Sequence, residues 1–89
     1  DFQKYKYSGY LRIEVIDKYG VLSSITTCLA KHKVSIKRVI QIPNKKNKTA
    51  SIIIITHSTN EKYNISCINK IKKSKYVLKK PIYIRIEEF

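Results

Sequence analysis

Asp17-Lys18-Tyr19-Gly20-Val21-Leu22 joins a run that alternates like a strand to one spaced like a helix, and its reading decides the fold. From Tyr10 to Asp17 the apolar residues Leu11, Ile13 and Val15 alternate with Tyr10, Arg12 and Glu14, the period of a strand with one buried face. After Gly20, the residues Val21, Leu22, Ile25, Cys28 and Leu29 recur at spacings of three and four, and Lys31, His32 and Lys33 place positive charge where a helix C-terminus favours it. A glycine turn between such elements leaves the first amides of the helix without intrahelical acceptors. A carboxylate can dock against amides presented in this way.

Outward from this junction, Val34 to Pro43 and Thr49 to His57 are β-branched and apolar, and the polar turn Asn44–Lys48 between them predicts a hairpin. Ile52 to Ile55 has no polar break, so that strand is expected to be central or covered on both faces. Ser58-Thr59-Asn60-Glu61 fits a capping box, with the Ser58 hydroxyl accepting from the Glu61 amide, and opens a second helix whose apolar stripe is Ile65, Ile68 and Ile71. Val77 to Phe89 returns to alternation, with Pro81 near its start as suits an edge strand. The order strand, helix, strand, strand, helix, strand, with right-handed crossovers, gives an α+β, ferredoxin-like βαββαβ fold: a four-stranded antiparallel sheet with two helices on one face. Two helices cover one face only, so something outside the chain is expected to cover the other.

At 89 residues the chain is a single small domain, burying roughly 60 to 65% of its unfolded surface, with no room for a cleft between domains. With no methionine and Asp1 at its start, it reads as a module cut from a longer protein. Residues 1–9 are expected to be the tail of a linker from an upstream domain and residues 10–89 the module itself. The net charge of +13 invites a nucleic-acid reading. Yet 16 Lys, 16 Ile, seven Tyr and five Asn, all with AT-rich codons, make up 44 of the residues, and arginine occurs three times, so compositional drift accounts for the charge equally well. RNA readers of this topology stack bases on aromatics of the central strands, and Thr49–Ile55 has none. Binding to nucleic acid is therefore not expected.

Catalysis fares no better. His32 and His57 have no acid and nucleophile arranged around them in sequence, and no glycine-rich phosphate loop is present. Cys28 and Cys67 lack C-x-x-C spacing and a neighbouring His pair, so they read as small buried hydrophobes, with no metal expected. With no run of 18 apolar residues, no membrane partner is expected, and the cytoplasm is the default location. What survives is binding: the amides of Gly20, Val21 and Leu22 for a carboxylate, Asp17 for an ammonium group, and Ser35 on the adjacent strand as a third contact. The plainer alternative is that Asp17 caps the helix and Gly20 turns the chain.

The junction, followed by Ile25 and Leu29, resembles the D-x-P-G-V-L pattern of ACT domains, small βαββαβ regulatory modules of amino-acid metabolism. Tyr10-Leu11-Arg12-Ile13, Val34-Ser35-Ile36 with Val39-Ile40-Gln41, Ile55-Thr56-His57, and Pro81-Ile82 with Ile84-Arg85-Ile86 look like the C-terminal ACT domain of the homoserine dehydrogenases, over about Tyr10 to Glu88. This resemblance implies that the fragment carries no cofactor of its own, while the parent uses NADP or NAD in upstream catalytic domains to reduce aspartate semialdehyde to homoserine. It further implies a free amino acid as effector, threonine in feedback control, and a homodimer formed through the sheet. Tyr19 stands where the family has proline, so the turn loses a fixed φ and gains a bulky side chain that can occupy part of the ligand site. Three alternatives stand beside this reading: a purely structural dimerisation module, an ACT domain of another amino-acid-metabolism enzyme, and a charge-driven nucleic-acid binder.

Overall fold

The computed structural model describes residues 6–87, as β1 (Lys6–Ile16), α1 (Val21–Lys31), β2 (Ile36–Asn44), β3 (Thr49–Thr56), β4 (Thr59–Asn60), α2 (Glu61–Ile71) and β5 (Ile82–Glu87). The expected βαββαβ order and the antiparallel sheet are present, in the spatial order β2-β3-β1-β5. There is one addition: β4 pairs Tyr7 with Thr59 and Lys6 with Asn60, making the sheet five-stranded rather than four-stranded. It prolongs the line of β3 along β1 after a one-residue slip in register. β1 starts at Lys6, so Lys6–Gly9, read from sequence as linker, pair with β5 and β4.

Leu11, Ile13 and Val15 of β1 and Ala50, Ile52 and Ile54 of β3 are buried against Val21, Ile25 and Leu29 of α1, with Cys67 and Ile71 of α2. Burying one such aliphatic side chain contributes roughly 1.5–3 kcal/mol. α1 closes through a left-handed Lys33 (φ 63°), with Val34 N–H donating to the Leu29 carbonyl at 2.9 Å and Lys33 N–H to that of Ala30 at 3.1 Å. This is a Schellman closure, and Val34 buries itself beside Leu29 as that closure favours.

Three local expectations are corrected. The N-cap of α2 is Asn60, whose Oδ1 accepts the Lys62 amide at 3.1 Å, and not Ser58, because Thr59 and Asn60 are drawn into β4 before the helix begins. The inward stripe of α2 is Asn64, Cys67 and Ile71, while Ile65 stays 48% exposed. The helix rolls this way because Asn64 and Cys67 are small enough to let it approach β1 where Gly9 offers no Cβ: one built there would lie 3.4 Å from Asn64 Nδ2 and 3.0 Å from Tyr83 Cε1. The last strand is shorter than Val77 to Phe89. Val77 only bridges to Val15, and pairing resumes as β5 at Ile82, past a buried Pro81 that has no N–H for the ladder. Glu88 and Phe89 lie outside the described residues.

The second sheet face is open. Register places Ile82, Arg12, Ile53 and Ile40 in one row across it and Ile84, Tyr10, Ile55 and Arg38 in the next. Ile42 and Ile84 are 50% and 53% exposed there. At its centre the Ser51 hydroxyl and Arg12 Nε both hydrogen-bond to the Glu14 carboxylate. Ser51 first, and then Arg12, hold that carboxyl below the usual range.

Candidate functional site

The turn that carries β1 into α1 runs Lys18-Tyr19-Gly20-Val21 and is closed by the Val21 N–H donating to the Lys18 carbonyl at 3.3 Å. Gly20, its third residue, has φ 84° and ψ −10°, the conformation of a type II turn, which favours glycine in that place and proline just before it. Upstream, the Asp17 amide donates to the Lys48 carbonyl at 2.9 Å, tying the loop to the β2–β3 turn. Gly20 is the N-cap of α1, with no side-chain cap. The plainer reading of Asp17 as a capping residue is therefore not what the chain does.

Among the described residues, the Gly20 and Leu22 amides make no hydrogen bond, and the Asp17 carboxylate, exposed, is in no hydrogen bond or ion pair. The Val21 amide, expected to be available, is engaged in the turn. These groups border an open cavity of about 890 Å³ whose walls are Val15 and Ile16 of β1, the loop from Asp17 to Gly20, Val21 and Leu22 of α1, Gln41 of β2 and Ile52 of β3. It is apolar at its base, with amides and the positive end of the helix dipole on one side and a carboxylate on the other. A small zwitterion is complementary to that arrangement.

Five of the six sequence-predicted residues, Asp17, Tyr19, Gly20, Val21 and Leu22, line this cavity. Ser35 does not: it follows α1, and an 11-residue helix carries the chain about 16 Å from its start. The Ser35 carbonyl instead accepts the His57 amide at 2.8 Å at the far end of the sheet. Gln41 supplies the polar side chain from β2 that sequence reasoning sought at Ser35. Its place could have been found from the hairpin register, which sets Gln41 opposite Ile52 on the helix side of the sheet. Tyr19, among the lining residues, is fully exposed.

The fold is thus that of a ferredoxin-like module with an open cavity at its first strand–helix turn. The chain belongs to the ACT domain family, whose model matches residues 9–62. It is similar to the homoserine dehydrogenase of Helicobacter pylori, 35% identical over 78 residues that make up 88% of this chain and 18% of that protein. It is likewise similar to that of Neisseria gonorrhoeae, 41% identical over 80 residues, 90% of this chain and 18% of that protein. The chain thus spans under one fifth of the length of these relatives. The crystal structure of a homoserine dehydrogenase from Thiobacillus denitrificans superposes with a TM-score of 0.83 at 32% identity, covering 98% of this chain and 19% of that one. The ACT domain of a Chlorobium tepidum GTP pyrophosphokinase, at 19% identity and a TM-score of 0.71, shares the fold over 89% of this chain and 99% of its own. No helix among the described residues is long and apolar enough to cross a membrane.

Proposed function

We propose that this chain is the regulatory module of a homoserine dehydrogenase, an oxidoreductase that takes NADP or NAD in domains outside this chain, and that it binds a free amino acid at the turn from Asp17 to Leu22. The observation that carries the reading is the pairing, around one cavity, of unengaged Gly20 and Leu22 amides with an unengaged Asp17 carboxylate. The amides receive the α-carboxylate and Asp17 the ammonium group, each contact with the helix terminus contributing about 0.3–1 kcal/mol. Gln41 is placed to reach a side-chain hydroxyl, which makes threonine the first effector to test. Such a module resides in the cytoplasm with its parent.

The open sheet face supports the second half of the proposal, a homodimer. Isoleucines dominate it, and Arg12 and Glu14 are paired with each other, leaving Arg38 on the edge strand β2 as the other charge in its central rows, so a second copy of the same face can cover its middle at little electrostatic cost. The same composition, with Tyr10 as the one aromatic in its two central rows, argues against a base-stacking role. Calorimetric titration with threonine, alongside sedimentation, tests both halves. Heat and a raised melting temperature at millimolar threonine are expected; their absence with a stable dimer leaves the purely structural reading in force.

A further inference from the structure

The helix layer holds a cluster that the effector reading does not use. Cys28 of α1 and His32, the residue that caps its C-terminus, are four residues apart, and Cys67 faces them from α2; one ligand atom from each lies within 4.8 Å of the others. Cys28 Sγ and His32 Nδ1 are 3.7 Å apart. A zinc ion with Zn–S near 2.3 Å and Zn–N near 2.05 Å requires tetrahedral edges of about 3.6–3.8 Å. One edge already has that length, and the others need side-chain adjustments of roughly 1 Å or less. Sequence spacing concealed the set because its third member comes from a different helix, although the Cys28-x-x-x-His32 step was legible as two side chains on one helix face.

We propose that Cys28, His32 and Cys67 form a three-ligand site for a thiophilic d10 metal ion, with zinc as its probe. The ligand types select the metal: two sulfurs and an imidazole suit zinc or monovalent copper and offer nothing to calcium or magnesium. An entry path exists, since a cavity of about 470 Å³ between the helices is lined by Cys28 and His32 together with Ser24, Lys31, Lys70 and Lys73. The two thiols release their protons to solvent as their thiolates bind Zn2+, so the bound unit is neutral and the surrounding lysines do not repel it. They favour an anionic or water-derived fourth ligand in the open position. Without metal, burial and the neighbouring Cys28 push the Cys67 thiol up to about 12, so it remains protonated near neutrality. In the metal-free chain the His32 Nδ1–H donates to the Cys28 carbonyl at 2.8 Å, and ligation through Nδ1 requires that bond and that proton to be given up, the neutral ring then carrying its proton on Nε2.

The test uses the full 89-residue chain, stripped with chelator and held under a phosphine reductant. Cobalt titration should give a thiolate-to-metal charge-transfer band with the intense visible bands of tetrahedral coordination, displaced by one equivalent of zinc per chain. His32→Gln and Cys28→Ser should each weaken zinc binding by more than tenfold while the far-ultraviolet circular dichroism is unchanged. Cys67→Ser is the less decisive variant because Cys67 is buried, and partly exposed His32 provides the cleaner one. A cobalt spectrum without the thiolate band overturns the proposal. So does zinc affinity equal in His32→Gln, Cys28→Ser and the parent chain, or a Cys28–Cys67 disulfide that persists in reductant and blocks the metal.

Discussion

Replacing Gly20 by alanine isolates the conformational demand of the junction. A Cβ built on Gly20 meets nothing within 4 Å, so no steric clash contributes. What remains is φ 84°, a left-handed conformation that costs a residue with a side chain roughly 1–2 kcal/mol. Alanine also restricts the unfolded chain, which returns about 0.4–1 kcal/mol. The net expectation is a loss of about 1 kcal/mol, or a melting temperature lowered by roughly 4–8 °C for a domain of this size. Urea denaturation should show a lower midpoint with an unchanged slope, because the folded and unfolded surfaces are unaltered. Gly20→Asn should fall between the two, since asparagine tolerates the left-handed region better than alanine despite its greater bulk. If Gly20→Ala is as stable as the parent, or if the cost grows with side-chain size instead of following left-handed tolerance, the type II geometry argued for this turn is wrong.

Tyr19→Pro places the residue this turn type prefers where Tyr19 packs against nothing and its amide has no acceptor among the described residues, so a gain of about 0.4–1 kcal/mol in unfolding free energy is expected by thermal denaturation. Gly9→Ala should cost about 1–3 kcal/mol, because its Cβ would lie 3.0 Å from Tyr83 Cε1, and in a double-mutant cycle Tyr83→Val should recover part of that loss. Glu14, whose carboxyl is held below the usual 4.5 by Ser51 and Arg12, contributes stability that is complete above pH 4.5 and fades as pH falls through its lowered value; Glu14→Gln should therefore flatten the acid limb of a stability-against-pH curve measured by denaturation between pH 2 and 6. A limb unchanged in that variant would assign the acid sensitivity to other carboxylates.

Alternation in β1 and the three-and-four spacing in α1 were enough to place these elements, because each has one strongly buried face and the period of its apolar residues records it, while β3 was placed by its β-branched apolar run alone. The unbroken Ile52–Ile55 run also announced an uncovered second face, which the sheet does present. α2 was legible as a helix but not in its rotation, since its three isoleucines suggested one stripe while the fit of Asn64 and Cys67 beside Gly9 selected another. The capping residue of α2 was misplaced for a related reason: β4 exists through pairing with Lys6 and Tyr7, contacts far away in sequence.

By itself, then, the sequence determined the βαββαβ order, the turn at Gly20 and the family to which both belong, because these follow from local backbone preference and from the period of burial. Tertiary structure alone decided which side chains meet. It moved Ser35 to the far end of α1, brought Gln41 to the cavity through hairpin register, and set Cys67 against Cys28 and His32. Such meetings depend on how helices roll and strands slip relative to one another. Small differences in packing settle that, and no short stretch of the chain encodes it.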